Sequence, residues 1–184
     1  EKDFGKNVLP AMLNAGEKMQ SYRFEGYWKD VGTISSLWEA NMDLLGVVPN
    51  FKLDDRDKVI YSRSPLAPPA YIQGEVINSL VATGCEVEGK VVNSVVGTNC
   101  VIEEGAEVID SVLMGNITVK AGAKINYSII DEDVVIGEKA VIGSPIKQAL
   151  KVGGKTAGIA VLGRGITVKK SGKIPAGEIV DKDV

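Results

Sequence analysis

The sequence predicts a mainly β protein whose larger part is a solenoid of short parallel strands, preceded by a short α/β segment. Short apolar runs recur at a nearly constant spacing from about residue 76, and glycine or small polar residues end each run. The first fifty residues lie outside this repeat and carry helical patterning instead. Runs of two to four β-branched residues are too short for isolated strands, but they bury one continuous core when successive coils stack in register.

Three ladders of residues define the repeat. The first is formed by Asn78-Ser79, Asn93-Ser94, Asp110-Ser111 and Tyr127-Ser128, each of which is followed by apolar residues. The second runs through "CEV" (85–87), "CVI" (100–102), "ITV" (117–119) and "VVI" (134–136), and the third through Val91, Val108, Ile125 and Ile142. Three strands per period predict a triangular prism. A β-sandwich is disfavoured because the chain has no Asn-Gly or Asp-Gly hairpin pair.

This pattern resembles the left-handed parallel β-helix of the hexapeptide-repeat family, most plainly in "VIGEKAVIG" (135–143). We expect the β-helix domain to span 71–184. The repeat breaks once, after Gly143, and resumes with a larger offset that aligns Ile129-Ile130 with Val161-Leu162. One ordinary coil plus a loop insertion at about 144–158 explains this offset, and "KIPAGEIV" (173–180) should close the last coil.

Composition excludes several classes of protein. The chain has no histidine, which excludes Ser-His-Asp and Cys-His nucleophile systems and zinc sites built with histidine. A net charge of −3 argues against nucleic acid as a partner. No apolar run is long enough to span a membrane and no signal peptide is visible, so we expect a cytoplasmic protein. Because the chain opens at Glu1 without methionine, we expect a fragment. Cys85 and Cys100 occupy equivalent positions one coil apart and should be reduced core residues.

The N-terminal segment, 1–50, is predicted to be the end of an α/β domain. The pattern favours a helix in 3–18 ended by Gly16, a strand over 22–32, and an amphipathic helix over 33–46 with Thr33 as its N-cap. Its apolar face would hold Ile34, Leu37, Trp38 and Leu45, and Gly46 would end it. A strand-like run at 58–62 and prolines at 65, 68 and 69 make 51–70 a stiff linker.

Asp30 is the first candidate site residue. It ends the predicted strand just before a helix, where ligands collect in α/β domains, and a carboxylate suits Mg²⁺ held together with phosphates. Trp28 offers a flat face to a sugar or base. The residues alone leave a structural alternative open, in which Asp30 complements the helix dipole and Trp28 packs in a core.

The blocks "FEGYWKDVGTISSLWEANMDLL" (24–45) and "YSRSPLAPPAYI" (61–72), followed by a β-helix, resemble the bacterial glucose-1-phosphate adenylyltransferase (ADP-glucose pyrophosphorylase) family. The resemblance implies a Mg²⁺ ligand role for Asp30 and a sugar-nucleotide contact for Trp28. It also implies a parent enzyme that converts ATP and glucose 1-phosphate to ADP-glucose and pyrophosphate for glycogen synthesis, and a β-helix that joins subunits of a dimer or tetramer, or pairs with a related regulatory subunit. The Gly-rich nucleotide loop of the family has no counterpart in these residues, so the chain alone should be inactive.

Two other interpretations remain open. In the first, the chain is the β-helix tail of a guanylyl- or uridylyltransferase. In the second, it is a hexapeptide acyltransferase, an interpretation that the absence of histidine weakens.

A cationic run forms the second candidate site. From Lys139 to Gly177 the sequence has eight lysines and arginines and no acidic residue. Cations without counter-charges repel one another, and an anion would relieve this repulsion. "GRGITVKKSGKIPAG" (163–177) also resembles the segment in which some members of the family bind phosphorylated activators. We therefore predict a phosphate or sulfate site at Arg164, Lys169, Lys170 and Lys173, which would take a phosphorylated effector or, alternatively, the acidic face of a partner subunit.

Overall fold

The computed structural model describes residues 3–53, 55, 57, 59, 60 and 66–184. Over this part of the chain, eighteen short strands form three parallel sheets of six strands each, and every coil contributes one strand to each sheet. The prediction of a left-handed parallel β-helix is therefore confirmed.

The strands of each sheet are separated by about one coil along the chain. Sheet A consists of β1 (Tyr71–Ile72), β4 (Glu86–Val87), β7 (Val101–Ile102), β10 (Thr118–Val119), β13 (Val135–Ile136) and β16 (Thr167–Val168). Sheet B consists of β2 (Glu75–Ile77), β5 (Lys90–Val92), β8 (Glu107–Ile109), β11 (Lys124–Asn126), β14 (Val141–Gly143) and β17 (Lys173–Ile174). Sheet C consists of β3 (Leu80–Val81), β6 (Val95–Thr98), β9 (Val112–Gly115), β12 (Ser128–Ile130), β15 (Ala160–Leu162) and β18 (Ile179–Val180).

The core is a column of aliphatic side chains at the centre of the prism. The predicted third ladder lies in register through sheet B, where Val91, Val108, Ile125 and Ile142 are all fully buried. Cys85 and Cys100 are free, buried members of the same column, as predicted. Burying small β-branched side chains layer by layer is what stabilises strands of only two to four residues.

One corner of the prism is built by the Asn/Asp/Tyr-Ser ladder. The residues preceding the serines, Asn78, Asn93, Asp110 and Tyr127, have φ between 45° and 51°, the left-handed region in which asparagine and aspartate are favoured. Each serine hydroxyl accepts the backbone N–H of the next serine in the ladder, at 3.0, 3.0 and 3.2 Å. Because this stack pairs polar groups that the coils bury, the chain turns the corner with these N–H groups satisfied.

The insertion and the last coil follow the predicted offset. Ile129-Ile130 pairs with Val161-Leu162, and Ile142 pairs with Ile174. Between β14 and β15 lies the short helix α3 (Ile146–Ala149), followed by turns. Beyond β18 the C-terminal residues return to sheet A, since Val184 donates its N–H to the carbonyl of Thr167 at 3.0 Å and its own carbonyl accepts from Lys169.

The N-terminal segment contains the two predicted helical regions. A π-helical turn, Phe4–Val8, continues into α1 (Leu9–Asn14), after which Gly16 has φ 73°. Helix α2 (Ile34–Met42) starts at Thr33, whose side chain accepts the Ser36 N–H in a capping box. It ends at Met42, earlier than the predicted boundary at Gly46, with Asp43 as C-cap.

The predicted strand over 22–32 is wrong, because the structure describes all of these residues and assigns no strand to them. A strand forms only when a neighbouring strand takes up its backbone hydrogen bonds, and the described residues provide none beside this segment. The strand-like run at 58–62 and Pro65 lie largely or wholly outside the described residues. Among the helices of the described residues, none combines the length and the apolar character needed to cross a bilayer.

Candidate functional sites

Asp30 lies on an exposed segment that leads into helix α2. Its Oδ1 atom accepts the backbone N–H of Gly32 at 2.8 Å, which orients the carboxylate, and the residue is exposed. Trp28 is also exposed, with 76% of its surface accessible, so it does not pack in a core in this chain. The two residues are therefore open to a ligand from the same stretch of backbone.

The chain alone does not build a metal site around Asp30. Within the described ranges, no group of three or more histidine, cysteine, aspartate or glutamate residues is placed to hold a metal ion. Asp30 would supply one carboxylate, and Mg²⁺ keeps its water ligands unless several oxygens, often from substrate phosphates, replace them. A complete Mg²⁺ site at Asp30 therefore needs ligands from outside these residues.

The segment that carries Trp28 is fastened to the end of α2 by Asp43. Asp43 Oδ2 accepts the hydroxyl of Tyr27 at 2.9 Å and the ammonium of Lys29 at 3.1 Å, while Oδ1 accepts the side-chain amide of Asn50 at 2.8 Å. Lys29 also pairs with Glu39 at 3.0 Å. We refer to Asp43, Tyr27, Lys29 and Asn50 as the Asp43 clasp.

The hydrogen bonds of the Asp43 clasp stabilise the ionised form of the Asp43 carboxyl. Burial opposes ionisation of Asp43, but the hydrogen bonds donated by Asn50, Lys29 and Tyr27 outweigh it and hold the pKa of the carboxyl below its usual value. Burial and the hydrogen bond to Asp43 raise the pKa of the Tyr27 phenol. The sequence signal that points to this contact is the position of Asp43 one turn beyond Glu39, on the helix that follows Lys29.

Helix α2 is in turn docked on the outer face of sheet C. Ile34, Leu37, Trp38 and Met42 pack against a second apolar cluster formed by Val112, Tyr127, Ile129, Ala149 and Ile159. The Trp38 ring meets the Tyr127 ring edge to face at 4.9 Å. Through α2, the segment with Asp30 is therefore connected to the third and fourth coils of the β-helix.

The four cations of the predicted anion site are all exposed at the last coil. Two of them are paired: Arg164 with Glu132, and Lys170 with Glu138. The hydrogen bond from Lys170 is the main reason that the pKa of Glu138 lies below its usual value. The expectation that these cations lack counter-charges is therefore wrong for Arg164 and Lys170, whose acidic partners lie outside the run 139–177.

Both carboxylates come from the coil below, 32 residues earlier in the chain. This is the same offset that aligns the coils across the insertion. Applying it to the charged residues as well as to the apolar ones would have identified Glu132 and Glu138 from the sequence.

Comparison with known families agrees with the two parts of the fold. The family described as "GlmU-like, C-terminal hexapeptide" matches residues 69–168, and the family described as "Nucleotidyl transferase" matches residues 1–46. The first match covers every strand of the β-helix except β17 and β18, and the second covers the segment that carries Trp28, Asp30 and α2.

Curated relatives with the same name are found in several bacteria. A glucose-1-phosphate adenylyltransferase of Acetivibrio thermocellus is 40% identical over 183 residues, which is 97% of this chain and 43% of the relative. Glucose-1-phosphate adenylyltransferases of Bacillus thuringiensis and Bacillus anthracis are each 49% identical over 142 residues, which is 76% of this chain and 38% of the relative. The chain thus spans less than half the length of these relatives. It belongs to the GlmU-like, C-terminal hexapeptide family and is a homologue of the bacterial glucose-1-phosphate adenylyltransferases.

Proposed function

We propose that the chain is the C-terminal portion of a glucose-1-phosphate adenylyltransferase, an enzyme that joins ATP and glucose 1-phosphate to give ADP-glucose and pyrophosphate for glycogen synthesis. The relatives carry this name, and the nucleotidyltransferase match ends within the segment that holds the candidate site. We also propose that residues 1–50 end the catalytic domain, that 51–70 link it to the β-helix, and that 71–184 form the regulatory and assembly domain with its insertion at 144–158.

The observation that carries the proposal is the lack of a core in the N-terminal segment. In the described residues before position 15, neither helical element has a buried residue. Large apolar side chains stay exposed along the segment, including Phe4 at 71%, Tyr22 at 88% and Trp28 at 76%. A segment with so much exposed apolar surface is typical of one piece of a larger domain, which fits a catalytic domain that extends beyond these residues.

Asp30 and Trp28 have distinct roles in the proposed enzyme. The Gly32 N–H holds one oxygen of Asp30 and leaves the other free to bind a metal ion, while the exposed Trp28 ring offers a stacking face to the sugar nucleotide. Asp30 would be one ligand of a Mg²⁺ ion, which would supply charge neutralisation to the phosphates during attack of the sugar phosphate on the α-phosphorus and departure of pyrophosphate. The chain contributes the positioning of a single carboxylate to this site.

A coupled pyrophosphate-release assay tests this function. The 184-residue chain should show only background, and the longer enzyme should turn over with ATP and glucose 1-phosphate. Asp30→Asn in the longer enzyme should abolish most turnover without unfolding it. Asp133→Asn is the matched control, because Asp133 is an aspartate of the β-helix whose side chain accepts an exposed hydrogen bond from Asn116. Near-normal turnover of Asp30→Asn would refute the assigned role.

The exposed cations at the last coil support a regulatory anion site. Arg164, Lys169, Lys170 and Lys173 would bind a phosphorylated effector, with sulfate or phosphate as a simple substitute. Because Arg164 and Lys170 are paired in the structure, an anion must compete with Glu132 and Glu138. Titration with fructose bisphosphate, phosphate and sulfate at low salt, repeated with Arg164→Ala and Lys170→Ala, tests the site. Loss of binding in both variants supports it, and no binding in the wild type excludes it.

We further propose that the protein is cytoplasmic and that the β-helix assembles it into a dimer or tetramer. Exposed apolar residues on the outer faces support an assembly role, among them Ile77 and Val141 on sheet B and Ile179 on sheet C. Light scattering at tens of micromolar, the range in which micromolar affinities are resolved, should give at least a dimer. A monomeric mass there would contradict the assembly proposal.

A further inference from the structure

The segment that carries Asp30 is held by side chains rather than by its own backbone. Among the described residues, no backbone–backbone hydrogen bond anchors 18–32 to another part of the chain. The contacts that fix it are the bonds of Tyr27 and Lys29 to Asp43, the ion pair of Lys29 with Glu39, and a ring contact between Tyr27 and Phe51 with centroids 5.3 Å apart. The direction of the backbone entering Asp30 therefore depends on these few side chains.

The two bonds to Asp43 bracket Trp28 and end one residue before Asp30. Tyr27 and Lys29 reach the same Asp43 oxygen, so the backbone between them is pinned at two points. The side chains of Lys29 and Asp43 are only 26% and 20% exposed, so this ion pair is better shielded from solvent than a typical surface pair. On the other side, the bond from Gly32 fixes the carboxylate of Asp30 itself.

We propose that Asp43 and Lys29 are positioning residues for the metal-binding carboxylate. They hold the Trp28–Asp30 backbone against the end of α2, and thereby set where Asp30 presents its free oxygen. This inference rests on the proposed function and deepens it, since it assigns roles to two residues that do not themselves bind metal or substrate.

The anchor of the Asp43 clasp is the β-helix. Helix α2 carries Asp43 at its C-terminal end, and Trp38 in the same helix donates a hydrogen bond to the Asp110 carbonyl of the solenoid at 2.7 Å. Helix α2, which is nine residues long, thus connects the segment that carries Asp30 to a coil of the β-helix. An error of about 1 Å at a reacting group can cost on the order of a hundredfold in rate, so such an anchor matters for catalysis.

The first test uses the 184-residue chain and does not depend on activity. The Tyr27 phenol is titrated by ¹³C NMR of tyrosine labelled at the ζ-carbon, with Tyr27→Phe used to assign its signal. In Asp43→Asn the pKa of Tyr27 should fall toward its ordinary value, because the phenol loses a charged acceptor. Asp133→Asn should leave the Tyr27 titration unchanged. If Tyr27 titrates alike in the wild type and Asp43→Asn, the Asp43 clasp does not exist in solution and the proposal is overturned.

The second test measures positioning in the longer enzyme of the proposed function. Asp43→Asn and Lys29→Met should each raise the Mg²⁺ concentration for half-maximal activity by on the order of tenfold and lower kcat, while KM for glucose 1-phosphate changes less. Lys29→Arg, which can still pair with both carboxylates, should recover most of the loss. A purely structural role would lower the melting temperature without changing the Mg²⁺ dependence, and that result would overturn the proposal.

Asp30→Asn separates failure of this inference from failure of the proposed function. If Asp30→Asn retains turnover, Asp30 is not a metal ligand, and both the assigned role and the positioning built on it fall. If Asp30→Asn abolishes turnover while Asp43→Asn and Lys29→Met keep the wild-type Mg²⁺ dependence, only the positioning role falls. The proposal stands when all three variants weaken Mg²⁺-dependent turnover and Asp133→Asn does not.

Discussion

Trp38 donates its indole N–H to the backbone carbonyl of Asp110, 72 residues further along the chain, at 2.7 Å. Asp110 is itself a corner residue of the β-helix with φ 51°. The bond therefore joins the N-terminal segment to the solenoid at a point where the backbone is already fixed. Since Asn93 also donates to the Asp110 side chain at 2.7 Å, this corner is held from two directions.

Trp38→Phe should destabilise the chain. Phenylalanine keeps most of the packing against Tyr127, but the half-buried Asp110 carbonyl loses its donor, a change that costs about 1 to 3 kcal/mol. Urea unfolding followed by circular dichroism measures the loss. Trp28→Phe is the matched control, because Trp28 is exposed and makes no such bond within the described part of the chain, and it should change the free energy of unfolding by less than about 0.5 kcal/mol. Equal effects of the two variants would show that the Trp38 bond is not formed.

Ser111→Ala should be more harmful than the same change at the end of the ladder. Ser111 is fully buried, and its hydroxyl accepts the buried Ser128 N–H while donating to the Ile109 carbonyl. Removing it leaves a buried donor unsatisfied, at about 1 to 3 kcal/mol. Ser79→Ala should cost less, about 0.5 to 1 kcal/mol, because Ser79 is only half-buried and a water molecule can take the place of its hydroxyl. Chemical denaturation compares the two, and a larger loss at Ser79 would contradict the ladder.

The Asp43 clasp predicts a defined loss of stability in acid. A carboxyl whose pKa is lowered in the folded state stabilises the fold above its ordinary value of 3.8, and this contribution disappears as the pH falls through the lowered pKa. Melting temperatures measured from pH 6 to pH 2.5 should therefore fall less steeply in Asp43→Asn than in the wild type. Glu138→Gln is the comparison variant, because the pKa of Glu138 is also lowered but its partner is Lys170, outside the Asp43 clasp. Parallel curves for the wild type and Asp43→Asn would show that Asp43 is not bonded as described.

Removing the acidic partners should strengthen anion binding at the last coil. Glu138→Gln frees Lys170, and Glu132→Gln frees Arg164, so both variants should bind sulfate more tightly than the wild type at low salt. The gain should vanish as salt is added, because exposed charges are screened over about 10 Å at 0.1 M salt. Isothermal titration measures both effects. Unchanged sulfate affinity in the two variants would show that these cations do not form an anion site.

Gly97→Ala should disrupt the stack at a position where the backbone of the next coil leaves no room for a side chain. A Cβ atom at Gly97 would lie 1.7 Å from the carbonyl oxygen of Met114, a backbone atom that cannot move aside. We expect a loss of about 3 kcal/mol from the strain. At Gly163 the nearest atom would be 3.5 Å away, so Gly163→Ala should be neutral within about 1 kcal/mol. Thermal unfolding of both variants checks the difference, and a stable Gly97→Ala would mean that the coils are spaced further apart.

The solenoid could be predicted closely because its stabilising contacts repeat along the sequence. The step from Val108 to Ile125 in the sequence is also the step between paired residues in sheet B, and the longer step from Ile142 to Ile174 absorbs the insertion without losing register. Period and burial carry the same information when every coil buries the same position. The spacing of the repeat was therefore enough to predict which residues pair between successive coils.

The ion pairs of Arg164 and Lys170 follow the coil offset, but the site around Asp30 could be predicted only in part, because its contacts do not repeat. The strand expected over 22–32 needs neighbours that the described residues do not supply, so its alternating pattern was a poor guide. Trp38 was expected only as part of an apolar face, and nothing local to it reveals that its N–H meets Asp110. The Asp43 clasp joins residues 14 and 16 positions apart, and the helical spacing of Glu39 and Asp43 alone does not reveal that Tyr27 and Lys29 fold back onto Asp43.

The return of residues 183 and 184 to sheet A covers the outer edge of β16. A bare last strand offers unpaired N–H and C=O groups to any extended chain, including another copy of the same solenoid. Here Val184 pairs with the Thr167 carbonyl and the Lys169 N–H, while the Asp183 side chain accepts the Thr167 N–H at 2.8 Å. The outer edge of β16 is thus already occupied by the chain's own backbone. A strand of a second copy would therefore have to displace residues 183 and 184 before it could extend sheet A at β16.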